Sequence, residues 1–221
     1  MIYFAVIGDV VTSRKLKNRN EFQKHLKKVL DEINASYKED LASFFVITLG
    51  DEFQGLLKRA DRLLEITDKI KFMLDPVEVR FGVGIGEIDT DINYYSSIGA
   101  DGPAYWCARN AIHTIHNHND YKKSKIMIES YDQTDFMETV NESLKMCDFT
   151  ESKWRGTQKE LVKTSVLNFG YDTQVPQKKL ADLLSITTPT VNLKIQSTGY
   201  YNYLRLKKSV CMTLQNHWGE K

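Results

Sequence analysis

The first part of the chain alternates apolar runs with amphipathic stretches. Residues 2–11 form a β-branched apolar run, which predicts a central strand covered on both faces. Apolar residues recur at helical spacing over residues 20–35 and predict an amphipathic helix. Residues 44–49 and 53–57 then predict the two strands of a hairpin whose tip carries the sequence GDE, because apolar character stops at Leu49 and resumes at Phe53.

The same alternation continues to about residue 149. Residues 60–74 predict a second helix, and residues 77–88 predict a strand that contains three glycines. Glycine weakens a strand interior, so its repetition here predicts close approach of another backbone or of a ligand. A helix is predicted over residues 102–115, a short strand over 126–128, and a last helix before Phe149.

The order of these elements predicts the fold class. Strand, helix, hairpin, helix, strand, helix and strand indicate an α+β fold, a palm-like (ferredoxin-like) α/β sandwich with a mainly antiparallel sheet. No Rossmann or phosphate-loop fingerprint is present, because GVGIGEI lacks the third glycine and is not followed by a helix.

The remainder of the chain is helical and basic. Helices are predicted over residues 158–169, 177–184, 189–197 and 199–217, with the tripeptide SIT joining the second to the third. We therefore predict two domains, a palm-like domain over residues 1–150 and a small all-α helix-turn-helix domain over residues 151–221.

Composition separates the two predicted domains further. The net charge of +1 conceals 11 Lys and Arg against 5 Asp and Glu from residue 151 onward, and 19 against 24 before it. This asymmetry indicates either that the two parts face different partners or that lysines keep a small helical module soluble. Without a signal sequence or a membrane-spanning run, and with three scattered cysteines, the expected location is the cytoplasm.

Two aspartates are the main candidates for chemistry. Asp9 ends the first predicted strand and Asp51 lies at the hairpin tip, so adjacent strands would bring their carboxylates together. Hard oxygen ligands in open positions suit Mg²⁺, which is usually completed by phosphate groups of a substrate. Glu52 is a possible third ligand, and the alternative is that both aspartates only form turns.

These segments also carry a resemblance. FAVIGDVVTSR, TLGDEFQGLL, VRFGVGIGEI and GADGPAYWCARNA resemble, in order and spacing, the palm domains of class III nucleotidyl cyclases and diguanylate cyclases. The whole chain resembles the SatD family, and the cyclase-like part covers about residues 1–130. The resemblance implies metal binding at Asp9 and Asp51, and a transition-state arginine at Arg109. It also implies a homodimer, because cyclases complete their sites between two chains.

The chain departs from the cyclase pattern at three places. Tyr105 stands where cyclases have an asparagine, and Ile47 stands where they have a purine-reading lysine. The hairpin reads LGDEF and lacks the first glycine of the diguanylate cyclase signature. These departures leave metal and phosphate binding as the expectation and weaken the case for cyclase activity.

A phosphate-bearing ligand would need further donors. Arg109 on its helix could clamp a phosphate with two hydrogen bonds, or could form a structural ion pair. The remaining nucleotide-binding candidates lie in the turn after the first strand and at the hairpin tip: Thr12, Ser13, Arg14 and Gly50.

Three histidines near the end of the third predicted helix invite a metal hypothesis. His113 and His116 are three residues apart and would share a helix face, and His118 follows. Imidazoles followed by asparagine and aspartate are more typical of a polar helix end.

The C-terminal segment predicts a helix-turn-helix. Leu180, Ala181 and Leu184 would form the buried face of one helix, and Val191 and Ile195 would anchor the next. The residues left pointing outward could contact phosphates or base edges and are the DNA-binding candidates: Thr188, Thr190, Asn192, Lys194 and Gln196. The same three-helix arrangement also serves for docking proteins. The tyrosines of the last helix could stack on bases or pack that helix.

Three functions are compatible with this sequence. The first is a DNA-binding regulator whose palm-like domain senses a nucleotide with Mg²⁺. The second is a Mg²⁺-dependent enzyme that acts on nucleoside triphosphates, of the cyclase or nucleotidyltransferase type. The third is a protein-interaction module. We rank the regulator first and expect a homodimer that binds an inverted repeat.

Overall fold

The computed structural model describes residues 1–11, 18–117, 124–132 and 134–219. The strands are β1 (Tyr3–Val10), β2 (Leu41–Ile47), β3 (Glu52–Leu57), β4 (Val79–Gly86) and β5 (Ile126–Ser130). The helices are α1 (Arg19–Ser36), α2 (Leu63–Leu74), α3 (Pro103–Asn117), α4 (Phe136–Ser152), α5 (Gly156–Phe169), α6 (Gln177–Leu184), α7 (Thr188–Thr198) and α8 (Tyr200–Trp218).

The predicted fold class is confirmed. The five strands form one sheet in the order β2-β3-β1-β4-β5. The pairs β2/β3, β3/β1 and β1/β4 are antiparallel, while β5 runs parallel to β4. The sheet is therefore mainly antiparallel, and the helices that follow β5 complete an α+β protein.

The hairpin differs from the prediction in its first strand. β2 ends at Ile47, two residues before the predicted end at Leu49. The chain turns here because the backbone N–H groups of Asp51 and Glu52 both donate to the Leu49 carbonyl, at 2.5 and 3.0 Å. Leu49 thus belongs to the turn, where its side chain is exposed.

The two faces of the sheet carry different cores. Phe4, Val6 and Val10 of β1 belong to the larger core, which α1 and α2 share, whereas Ala5 and Ile7 face α3. The α3 helix lies very close to β4, since a Cβ atom at Gly84 would come within 1.9 Å of the Ala104 carbonyl oxygen. The predicted close approach of another backbone to the glycine-bearing strand is therefore confirmed.

The last helix, α8, packs against α2 and α4 through a buried ionic cluster. The Lys207 amine on α8 donates to both carboxylate oxygens of Asp68 on α2, at 2.7 and 2.9 Å. Lys71 is 2.8 Å from Asp68 and 2.6 Å from Glu151 of α4. The Tyr203 hydroxyl lies 3.2 Å from both Asp68 and Glu151. This cluster joins the C-terminal helices to the sheet-bearing part.

The division into two domains near residue 150 stays a prediction. The α4 helix continues to Ser152, and the larger hydrophobic core extends without interruption from Phe4 to Leu214. Among the helices of the described residues, none combines the length and the apolar character needed to cross a lipid bilayer.

Candidate functional site

Asp9 lies at the end of β1, on the face of the sheet that α3 covers. Its register partners are Glu52 on β3 and Arg80 on β4, and residues directly opposite each other in a sheet point to the same face. The C-terminal end of α3 adds His116, whose Nε2 is 3.2 Å from the Asp9 carboxylate. Asp9 thus has Glu52, Arg80 and His116 as its neighbours at this end of the sheet.

The His116 ring links Asp9 to Arg80. The Arg80 guanidinium is 2.9 Å from His116 Nδ1. Because arginine can only donate hydrogen bonds, Nδ1 must accept, and the ring proton is then on Nε2, where it faces Asp9. His116 thus holds the Asp9 carboxylate, and Arg80 holds the His116 ring.

Asp51 follows Gly50 at the tip of the hairpin, next to β1. The Val10 N–H donates to the Asp51 carbonyl at 3.2 Å, which fixes the tip beside the end of β1. Gly50 has a positive φ of 61°, a backbone conformation that favours glycine, and its carbonyl accepts from Gln23 at 2.8 Å. The expected proximity of Asp9 and Asp51 is therefore present in the structure.

The electrostatics of the pair agree with this geometry. Burial raises the pKa of Asp9 above its ordinary value, and the nearby Asp51 charge raises it further, while His116 and Arg80 oppose the increase. A cation placed near both carboxylates would relieve their repulsion.

Glu52 and Arg109 line a common cleft of about 470 Å³ beside the hairpin. The Glu52 carboxylate accepts a hydrogen bond from the Thr48 hydroxyl at 3.1 Å. Arg109 is more than half exposed and lies 3.6 Å from Asp101, at the other wall of the cleft. The structure thus brings Glu52 and Arg109 together, with Arg109 in a loose ion pair that a phosphate could replace.

The donors at this end of the sheet fit Mg²⁺ only in part. Two carboxylates, Asp9 and Asp51, lie close together, and Mg²⁺ is commonly held by one or two carboxylates with water and phosphate. Among the described residues, no group of three or more His, Cys, Asp or Glu side chains could hold an ion by itself. Glu52 faces the same side of the sheet as Asp9 but does not complete a three-carboxylate site with the two aspartates, so an ion here would depend on ligand oxygens.

Three predicted nucleotide-binding residues, Thr12, Ser13 and Arg14, lie outside the described residues. Two of the three departures from the cyclase pattern, Tyr105 and Ile47, have structural roles. Tyr105 is completely buried in the core beneath α3, where burial raises the pKa of its hydroxyl. Ile47 packs against the core on the opposite face of the sheet. Neither side chain belongs to the cleft.

Sequence reasoning missed the contact of His116 with Asp9 and that of Arg80 with His116. His116 was expected to be part of a polar helix end, and nothing near Arg80 in the sequence indicates a site. The two residues reach Asp9 only because β4 pairs with β1 and α3 ends above that pair. The three-residue spacing of His113 and His116 suggested metal binding, but it did not indicate that His116 contacts Asp9.

The α6–α7 segment matches its predicted bounds within one residue. Ser185 adopts a left-handed conformation with φ of 52°, and the Thr187 hydroxyl accepts from the Thr190 N–H as the N-cap of α7. Val191 and Ile195 are buried as predicted.

The predicted outward residues of α7 divide into two groups. Thr188, Asn192 and Gln196 are exposed. Thr190 is half-buried and its hydroxyl lies 2.8 Å from that of Thr187. Lys194 is half-buried and donates to the Thr157 carbonyl of α5 at 3.1 Å, so it braces α7 instead of projecting freely.

Sheet order, hairpin and appended helices together define a palm-like α+β protein with a C-terminal helical module. The chain belongs to the SatD family, whose sequence profile matches residues 3–214. The resemblance to this family is thereby confirmed over nearly the whole chain. A search of curated proteins finds no match.

Two solved structures of cyclase domains are similar to part of the chain. One is the guanylate cyclase domain of RhGC from Catenaria anguillulae in complex with GTP, with 18% identity, a TM-score of 0.36, and coverage of 49% of this chain and 70% of that one. The other is the catalytic core of a rhodopsin-guanylyl cyclase with converted specificity in complex with ATPalphaS. It has 19% identity, a TM-score of 0.37, and coverage of 51% and 72%.

Proposed function

We propose that this chain is a DNA-binding regulator that reads DNA with α7 and responds to a nucleotide bound at the palm-like part. The observation that carries the proposal is a polar stripe along α7. Thr188, Asn192 and Gln196 are spaced four residues apart and are all exposed, which places them on one side of the helix. Val191 and Ile195 form the neighbouring row of the same helix and are buried, so the polar stripe runs along the edge of the packed face of α7.

The chemistry of this stripe suits base edges in a major groove. Asparagine and glutamine can bind adenine with two hydrogen bonds, and threonine can contact bases or phosphates. The stripe begins in the first turn of α7, and the N-terminal residues of a recognition helix are those that reach bases. The net positive charge from residue 151 onward would supply the attraction to phosphate that any such complex needs.

The nucleotide part of the proposal is supported by the cleft and the aspartate pair. Asp9 and Asp51 would hold Mg²⁺ with help from phosphate oxygens, and Arg109 would exchange its loose contact with Asp101 for a phosphate. A bound Mg²⁺ would supply charge neutralisation for the phosphates. We place sensing before catalysis because Tyr105 and Ile47 stand where the cyclases have an asparagine and a purine-reading lysine.

The DNA part is tested by selection and titration with the full chain. DNA fragments selected from a random pool at low salt are titrated against the wild type and against a double variant, Asn192→Ala with Gln196→Ala. We expect the double variant to bind the selected fragments at least about tenfold more weakly, since a good bidentate base contact contributes about 1–3 kcal/mol.

Asn20→Ala is the matched control, because it removes an exposed helical asparagine from α1, which is distant from α7 in the sequence. The control should bind like the wild type. Failure of the selection to enrich any sequence, or equal binding by the double variant and the control, would overturn the proposed role of α7.

A further inference from the structure

A second cavity lies away from the aspartate pair, at the open edge of the sheet. It measures about 560 Å³ and is enclosed by α3, the edge strand β5 and the N-terminal part of α4. This volume is in the range of small-molecule sites. The cleft of Glu52 and Arg109 shares none of its lining residues.

Aromatic side chains form part of its wall. Trp106 of α3 is 48% exposed, and its indole N–H donates to Asp101 at 3.1 Å, which fixes the orientation of the ring. Tyr131, directly after β5, is 68% exposed. The turn that carries Tyr131 is held from α8, because the Trp218 indole donates to Asp132 at 3.0 Å. Trp106 and Tyr131 thus offer aromatic stacking surfaces beside the cavity.

The residues that line the cavity carry negative charge, which disfavours an anionic ligand. Glu129 and Glu138 contribute carboxyl groups, and none of the described lining residues is Lys, Arg or His. Thr114 donates to Glu129 at 3.3 Å and leaves the second carboxylate oxygen for another donor. A phosphate would be repelled here, whereas a neutral ligand with N–H donors would be accepted.

Two hydroxyl groups in the lining residues have no hydrogen-bond partner among the described residues. They belong to Ser130, which is 7% exposed, and to Thr134, and both oxygen atoms are shielded from water. Unpaired buried hydroxyls cost free energy. Because both residues line the cavity, a ligand there could supply the missing partner.

An added peptide strand fits the edge of β5 poorly. The Asn141 side chain on α4 already accepts from the Ile128 N–H at 2.9 Å and donates to the Ile128 carbonyl at 2.8 Å. These two bonds occupy the outward backbone groups at the centre of the strand. A small molecule is therefore the better occupant.

We propose that this cavity binds a nucleoside, a planar base with N–H donors and no phosphate. The base would stack on Trp106, with its donors facing Glu129 and its sugar or base edge reaching the Ser130 hydroxyl. This site shares no lining residue with the cleft, and the cleft offers Arg109 to a phosphate whereas this cavity offers carboxyl groups. The two are linked through Asp101, which accepts from Trp106 and pairs with Arg109.

The experiment is an isothermal calorimetric titration of the full chain with guanosine, with adenosine and with their 5′-monophosphates. Wild-type protein is expected to bind at least one nucleoside more tightly than its monophosphate. Trp106→Ala should weaken that binding by roughly tenfold or more through lost stacking. Ser130→Ala should weaken it by about three- to tenfold through a lost hydrogen bond, without lowering the melting temperature of the free protein.

Ser143→Ala is the matched control, because its hydroxyl is already bonded to the Thr139 carbonyl within α4. Asp51→Ala separates the two sites, since it should leave nucleoside binding unchanged even if nucleotide binding at the cleft fails. The proposal is overturned if no nucleoside binds, if the monophosphates bind more tightly, or if Ser130→Ala and Trp106→Ala both bind like the control.

Discussion

Replacing Lys207 by methionine is expected to lower the free energy of unfolding by about 3–5 kcal/mol. Lys207 is 1% exposed and donates to both oxygens of Asp68, which is 2% exposed. Burial by itself would raise the pKa of Asp68, but Lys207 and Lys71 outweigh it and hold that pKa well below its usual range. Methionine fills a similar volume and leaves Asp68 with only Lys71 as a cationic partner.

Chemical denaturation followed by circular dichroism measures this loss. Lys27→Met is the matched control, since the Lys27 amine lies 2.8 Å from Asp31 but both side chains are exposed. The control should change the free energy of unfolding by less than about 1 kcal/mol. Equal effects of the two substitutions would show that the buried cluster does not join the C-terminal helices to the rest of the protein.

Substituting alanine for Gly84 is expected to lower the free energy of unfolding by about 3 kcal/mol or more. The added Cβ atom would come within 1.9 Å of the Ala104 carbonyl oxygen and 2.3 Å of the Ala108 N–H nitrogen. Both are backbone atoms of α3, so relief requires the whole helix to move away from the sheet, at the cost of core packing. The same displacement would move Arg109 and His116.

Gly156→Ala provides the comparison for this second substitution. A Cβ atom at Gly156, in the first turn of α5, would meet no heavy atom within 4 Å. Alanine also has the higher helix propensity, so the free energy of unfolding should stay the same or rise slightly. If Gly84→Ala unfolds at the same denaturant concentration as Gly156→Ala, the close packing of α3 on β4 is wrong.

The secondary structure and the close helix–sheet contact could be predicted because their causes are local in the sequence. Apolar periodicity determines the helices, and the glycine repeat of residues 82–86 indicates a backbone that approaches from outside the strand. The turn over residues 185–187 is likewise a local property of the sequence.

The contacts of the candidate site could be predicted only in part, because they depend on tertiary arrangement. Asp9 and Asp51 stand at the ends of predicted strands, so their proximity follows from pairing those strands. The approach of His116 to Asp9 requires the position of α3, and the burial of Lys207 requires the docking of α8. A lysine in a basic helix gives no sign that its partner is an aspartate 139 residues away.

The measurement that tests the proposed function most directly is DNA affinity of the full chain with and without nucleoside triphosphate and Mg²⁺. Selected DNA is titrated at constant low salt, with Asp51→Ala and the surface control Asp31→Ala in parallel. We predict that at least one triphosphate with Mg²⁺ changes the affinity of the wild type and of Asp31→Ala about fivefold or more, and leaves Asp51→Ala unchanged. DNA affinity that no triphosphate alters, or that responds equally in Asp51→Ala, would contradict a regulator controlled from the aspartate pair.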